Sequence, residues 1–321
     1  MTVIEASKSA VNEREPGPVS PLAVKNVLFA TDFSPTSEAA LPYAVAICRH
    51  FGSTLHTVHV LSEAGLLMMA GGVDYVSVGT IYEDAQNEAK ERLDQISEYM
   101  EVIPHRNYVR HGPVWKTLAS IIAENEVDLV VVGTHGRTGL GRLLLGSVAE
   151  NILRHAPCPV LTIGPRVSGW AKLPELSARG RDLAPPELEL RQIIFATNFA
   201  NNAALAASDA IALAQEFRAW LTLMHVIEHY TGLGSEPGSI EESLHRLRKL
   251  IPKNTQLQYP PETLLEFGNV PERILSAAAE RDADMIILGA RSSEIGTSHL
   301  LWSAAHHVIA LARCPVLTIR Q

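Results

Sequence analysis

No run of eighteen apolar residues occurs in the 321-residue chain, so no membrane-spanning helix is expected. The first twenty residues carry Glu5, Glu13 and Glu15 where a secretory leader needs an apolar stretch, and the sequence is therefore read as cytoplasmic. There are only three cysteines, Cys48, Cys158 and Cys314, and no two stand at C-x-x-C spacing. That excludes a disulfide framework, a zinc ribbon and a dithiol redox motif, and leaves free, buried thiols. Basic residues are outnumbered: Lys plus Arg is 27 against Asp plus Glu 35, a net charge of −8. A nucleic-acid surface spread over the molecule is excluded, and any phosphate binding must be local. Charged residues are 19% and hydrophobic residues 46%, too little charge for a disordered chain and enough apolar material for proper cores.

The chain repeats itself. Phe29-Ala30-Thr31-Asp32-Phe33 returns as Phe195-Ala196-Thr197-Asn198-Phe199, 166 residues on, and His59-Val60 returns as His225-Val226. Gly133 returns as Gly289, and Cys158-Pro159-Val160-Leu161-Thr162-Ile163 as Cys314-Pro315-Val316-Leu317-Thr318-Ile319, now 156 residues on. Matches in one order with one gap indicate two homologous domains in tandem, with a period too long for a solenoid or a propeller blade. Residues 165–189 hold Pro165, Pro174, Pro185, Pro186, Gly169 and Gly180 without an apolar period, and read as a linker. The expected organisation is a disordered tail over 1–20, a domain over 21–164, the linker, and a second domain over 190–321.

Within the first copy, apolar runs predict strands over 27–30, 55–61, 106–110, 129–132 and 160–163. Ser34-Pro35 offers an N-cap followed by proline, and opens a helix that runs to Phe51 and stops at Gly52. Pro42 inside it predicts a kink. Further helices are expected over 83–100, 114–124 and 147–155. The second copy repeats the plan, with strands over 192–196, 221–227, 264–267 and 285–288, helices over 203–217, 240–250 and 271–280, and a closing helix and strand. Strands alternating with helices imply α/β architecture: two tandem, doubly wound, parallel five-stranded sheets, Rossmann-like, with helices on both faces.

After the fourth strand runs Gly133-Thr134-His135-Gly136-Arg137-Thr138-Gly139-Leu140-Gly141-Arg142, then Leu143-Leu144-Leu145-Gly146-Ser147-Val148. A glycine loop between the carboxyl end of a buried strand and a helix suits an anion, because bare amides approach it and the helix dipole favours negative charge. No Gly-Lys-Ser/Thr closes the loop, so it is not a P-loop, and no Gly-x-Gly-x-x-Gly follows the first strand, so it is not a dinucleotide fingerprint.

Gly133, two residues, Gly136, nine residues and Gly146-Ser147 form Gly-x2-Gly-x9-Gly-Ser. With Thr31-Asp32-Phe33-Ser34, His59-Val60 and Cys158-Pro159-Val160-Leu161, this resembles the universal stress proteins over both copies, an adenine nucleotide alpha hydrolase-like fold. The resemblance implies an adenine nucleotide, usually ATP with a metal ion such as Mg²⁺. Asp32 and the main chain at Ala30 and Val60 would hold the adenosine, Val132, Gly133 and Gly136 would line the ribose and phosphates, and Gly146, Ser147 and Val148 would donate to the phosphates. It also implies pairing of the two copies through the last strands, over 160–163 and 316–319.

The second copy departs from the pattern: Asp32 becomes Asn198, Gly136 becomes Ser292 and Gly146 becomes Trp302. A tryptophan where bare amides are needed is expected to fill the pocket, so only the first domain is read as nucleotide-binding. Arg137 and Arg142 add positive charge to the loop or are merely solvated, and Asp32 also suits a capping residue near Ser34. His135 lacks a carboxylate partner in sequence, and no catalytic residue is assigned. His59 and His225 read as satisfied core histidines, and His50, His56, His306 and His307 lack metal spacing, so no metal ligands are assigned. The connection with Met68-Met69 and Gly71-Gly72 is read as a mobile lid. The leading function is a nucleotide-binding regulator with an unknown protein partner and a whole-chain homodimer open; a slow metal-dependent ATP hydrolase and a nucleotide-free scaffold are the alternatives.

Overall fold

A computed structural model describes residues 22–62, 75–100, 103–134, 145–167, 188–200, 203–228, 237–290 and 299–320. The tail over 1–20, the connection with Met68, Met69, Gly71 and Gly72, loop residues His135, Gly136, Arg137, Gly139, Gly141 and Arg142, linker residues 168–187 and Ser292 lie outside the described residues. So does the side chain of Trp302.

The short apolar runs form strands buried on both faces, as a parallel sheet requires: β1 Asn26–Ala30, β2 Thr54–Leu61, β3 His105–His111, β4 Leu129–Gly133 and β5 Val160–Ile163. The second half supplies β6 Gln192–Ala196, β7 Trp220–Ile227, β8 Glu262–Phe267, β9 Met285–Ala290 and β10 Val316–Arg320. The helices are α1 Pro35–Glu38, α2 Leu41–Phe51, α3 Tyr75–Ser97, α4 Val114–Glu124 and α5 Ser147–His155, then α6 Ala203–Glu216, α7 Pro237–Lys249, α8 Val270–Glu280 and α9 His299–Leu311.

The two expected five-stranded sheets are joined into one of ten strands, ordered β3-β2-β1-β4-β5-β10-β9-β6-β7-β8. Each half is parallel, and the seam between β5 and β10 is antiparallel, with Leu161 opposite Leu317. Those two leucines are the same residue of the repeat, so a pseudo-two-fold axis passes between them. On the α2 and α6 side, His50 Nε2 lies 2.9 Å from Glu216 Oε1 and the Phe51 and Phe217 rings meet edge to face at 6.1 Å. Each is again opposite its own counterpart. The last strands pair as expected, which removes two edges that would otherwise template aggregation.

Two apolar cores lie on the two faces of this sheet, and both run across the seam. One packs α2, α3, α6 and α7 against residues such as Phe29, Val131, Phe195 and Ile287. The other packs α4, α5, α8 and α9 against Leu28, Val130, Ile194 and Ile286. Each fully buried side chain of this size contributes about 1.5–3 kcal/mol. Two carboxylates repeat one device at the strand entries. Asp128 Oδ2 accepts from the Lys25 and Asn26 amides at 2.8 and 2.9 Å, and Asp284 Oδ2 accepts from those of Arg191 and Gln192 at the same distances.

Two expectations need correction. The helix expected from Ser34 to Phe51 is not kinked at Pro42 but divided into α1 and α2, with Pro42 in the first turn of α2. There the missing N–H has no partner to lose, so the break is the cheaper solution. Helix α3 begins at Tyr75 rather than near 83. Its first turns, with Val76, Val78 and Gly79, hold no charged residue, so the charged amphipathic pattern that marks the rest of the helix does not reach them. The three cysteines are buried and free, and burial pushes each thiol up to about 12.

Asp209 on α6 occupies the position of Tyr43 in the first half, and burial pushes its carboxyl up to about 6. An unfolded aspartate titrates near 3.9, so the folded state binds more protons between the two values. The cost of the buried charge is therefore full at pH 7 and disappears as the pH falls below the unfolded value. Asp209→Asn is expected to stabilise the protein by about 1–2 kcal/mol at pH 7, after discounting for partial exposure, and by close to nothing at about pH 3. Urea unfolding at the two pH values measures it.

Candidate functional site

The strand order 3-2-1-4-5 places β2 and β4 on either side of β1. The chain leaves β1 towards α1 and α2 on one face, and leaves β4 towards α5 on the other. A crevice opens at such a switch point, at the carboxyl ends of the strands. The described residues expected to bind lie along this edge. Ala30 is in register with Val132 on β4 and with Val58 on β2, two residues before Val60. Asp32 follows β1 directly, and Gly133 ends β4. The Gly146 amide donates to the Thr134 carbonyl at 2.8 Å, which holds the start of α5 one residue beyond β4.

Helix α5 begins abruptly. Gly146 is its N-cap, extended at φ −63°, ψ 147°, and no side chain caps it among the described residues. The first intrahelical bond runs from the Glu150 amide to the Gly146 carbonyl at 2.9 Å. The amides of Ser147, Val148 and Ala149 precede that bond, at the positive end of the helix dipole. Ser147 is exposed and Gly146 and Val148 are half-buried, so an anion can reach them.

In the second half the corresponding helix starts earlier. Ser303 matches Ser147 in the repeat, yet α9 begins at His299. The Ser303 amide is therefore inside the helix, committed to a carbonyl four residues back. The break that glycine provides at position 146 is absent where Trp302 stands, and the helix continues upstream.

At the β1 exit Thr31 Oγ1 accepts from the Phe33 amide, and Asp32 Oδ1 accepts from the Ser34 amide, each at 3.0 Å. Ser34 caps α1 through the Ser37 amide. Asp32 is thus a turn residue, as its sequence position allowed. Asn198 makes the same bond to the Ala200 amide at 3.1 Å, so the turn needs the side-chain oxygen and not the charge. What distinguishes Asp32 is a half-buried negative charge beside the crevice.

Sequence reasoning missed the conformation of the next residue. Phe33 has φ 59° and Phe199 φ 57°, left-handed values that a bulky side chain rarely adopts. In both halves the strand histidine sits under that ring: His59 at 4.4 Å from Phe33 and His225 at 4.4 Å from Phe199. His59 Nδ1 donates to the Thr31 carbonyl at 2.9 Å and His225 Nδ1 to that of Thr197 at 2.8 Å. Both are satisfied core histidines. The repeated spacing of Thr-Asp/Asn-Phe and His-Val was the available signal.

Gly133 is buried, and a Cβ on it would lie 2.6 Å from the Thr36 carbonyl oxygen of α1. Close packing of α1 on β4 accounts for the glycine here. Burial lowers the pKa of His56, with Arg106 adding to the effect; its Nδ1 and Nε2 lie 3.2 Å from Tyr108 Oη and Asn26 Oδ1. Among the described residues no group of three His, Cys, Asp or Glu is arranged to hold a metal ion, and no helix is long and apolar enough to cross a membrane.

The universal stress protein family matches residues 23–164 and 189–320. The chain belongs to that family. Universal stress protein MJ0531 of Methanocaldococcus jannaschii is 27% identical over 139 residues, which cover 43% of this chain and 81% of the relative. Universal stress protein A homolog 1 of Coxiella burnetii is 31% identical over 140 residues, 43% of this chain and 95% of the relative. The crystal structure of a universal stress protein from Archaeoglobus fulgidus covers 93% of this universal stress protein and 97% of its own chain, with a TM-score of 0.63 and 18% identity. That likeness extends over both halves and concerns the fold.

Proposed function

We propose that this universal stress protein binds one adenine nucleotide, ATP with Mg²⁺, in the unit over 21–164, and that the unit over 190–321 is its structural partner. The observation that carries the reading is the amino end of α5 at the switch point, with glycine as its N-cap and no capping side chain among the described residues, where the Gly-x2-Gly-x9-Gly-Ser spacing ends. Ser147 and Val148 donate main-chain hydrogen bonds to the phosphates; Gly146, expected to donate as well, opens the helix beside them while its own amide is held by the Thr134 carbonyl. Asp32 and the main chain at Ala30 and Val60 hold the adenosine, and Val132, Gly133 and Gly136 line the path between.

Mg²⁺ keeps several waters and takes one or two carboxylates together with phosphate oxygens. The described residues offer Asp32 at this edge and no protein cage, so the ion arrives with the triphosphate. A ligand that favours one conformer shifts its population by the difference in affinity alone, so regulation needs no chemical step.

The test is to denature purified protein, chromatograph the extract for adenine nucleotides, and measure thermal unfolding with and without ATP and Mg²⁺. Retained nucleotide is expected, or a stabilisation of about 2.7 kcal/mol at a ligand concentration a hundredfold above Kd. Neither being found would leave the nucleotide-free scaffold.

A further inference from the structure

We infer that Arg92 and His59 are positioning residues for the nucleotide, which clamp the Phe33 ring and thereby hold Asp32 at the crevice; the inference rests on the function proposed above. Phe33 lies between two groups from different elements. The His59 ring of β2 stacks on it at 4.4 Å, and the Arg92 guanidinium of α3 lies 4.6 Å from its centroid. Arg92 also reaches Glu38 of α1 at 3.6 Å, so the Phe33 ring and Arg92 together join β2, α3 and α1 around the β1 exit.

The left-handed backbone at Phe33 is uphill for any residue with a Cβ, and it persists only where its surroundings over-determine it. The His59 bond to the Thr31 carbonyl and the Thr31 bond to the Phe33 amide hold the residues on either side of Asp32. Without the guanidinium, Phe33 can relax to negative φ. The Asp32–Phe33 peptide then rotates, and the carboxylate leaves its place at the Ser34 amide beside the β1 exit. Neither Arg92 nor His59 touches the ligand in this scheme.

The second half supplies the control. Arg246 lies 4.2 Å over Phe199 and also donates to the Phe199 carbonyl at 3.4 Å. The clamp there holds the fold, and the loss of the phosphate seat leaves it no nucleotide to position. Arg92 and Arg246 are each partly exposed, so replacing them with methionine keeps the stem and leaves no buried charge.

Binding of ATP with Mg²⁺ is measured by calorimetry for wild type, Arg92→Met, Arg92→Lys and Arg246→Met, together with Tm. Arg92→Met is expected to bind about tenfold more weakly than wild type, with Arg92→Lys recovering part of the loss. Arg246→Met is expected to lower Tm about as much as Arg92→Met while its affinity stays at the wild-type value. Equal affinity of Arg92→Met and wild type overturns the clamp and leaves the proposed function standing, as does an equal loss in Arg246→Met. Wild type that binds no ATP overturns the proposed function and the clamp with it.

Discussion

Gly133→Ala is expected to destabilise the protein by about 1–3 kcal/mol, while Gly289→Ala, at the same position of the second half, changes stability by less than about 0.5 kcal/mol. The two glycines occupy equivalent positions of β4 and β9 and differ in what faces them. A Cβ on Gly133 would stand 2.6 Å from the Thr36 carbonyl oxygen and 3.0 Å from the Ser37 Cα. Both are backbone atoms, so the whole of α1 must retreat, and with it the bond of 3.0 Å between the hydroxyls of Thr31 and Ser37. A Cβ on Gly289 meets the Ala206 methyl at 3.5 Å, an ordinary contact. Chemical denaturation of the two variants, read as midpoint shifts at constant slope, separates them. Equal losses would mean that the glycine at the end of β4 answers to strand geometry and not to α1.

The second large effect is a crossed pair of proline substitutions. Ser147→Pro removes one amide from the proposed seat without removing an intrahelical bond, since the first residue of a helix has none to lose. Gly146 already has the extended backbone that a residue before proline requires, at φ −63°, ψ 147°. ATP affinity is expected to fall roughly ten- to a hundredfold, the range for a hydrogen bond to a charged group, with Tm almost unchanged. Ser303→Pro falls inside α9. It is expected to cost about 3 kcal/mol or more in stability and to leave the affinity of the folded protein as it was. Calorimetric titration and thermal unfolding of both variants complete the square. Loss of affinity in Ser303→Pro, or none in Ser147→Pro, contradicts the assignment of the seat to α5.

Much of this was legible in the sequence where one local signal dominates. Helix α5 and strands β5 and β6 have the bounds expected from composition, because glycine, proline and continuous β-branched runs punctuate them. The pairing of β5 with β10 followed from the resemblance, and the duplicated Cys-Pro-Val-Leu-Thr-Ile segment marks the strands involved. Less legible was anything decided by contacts between distant segments. Proline at position 42 reads as a kink until the neighbouring break puts it in a first turn. The early start of α9 requires weighing Trp302 against Gly146 as helix residues, and not only as volume in a pocket. The left-handed Phe33 could not be read from Thr-Asp-Phe, because the histidine and arginine that hold it lie 26 and 59 residues further along the chain.

Asp32 illustrates the same division. Its side-chain oxygen serves the turn, and Asn198 shows that an uncharged oxygen serves equally well. Charge and geometry are therefore separate contributions at this position, and only the first distinguishes the two halves.

The most direct measurement is the stoichiometry of ATP, in the presence of Mg²⁺, on the full chain by calorimetry. One nucleotide per chain is expected, seated on the helix end of the first half, because the equivalent amide of the second half lies inside α9. Two nucleotides per chain would contradict the reading of α9, and none would contradict the reading of α5.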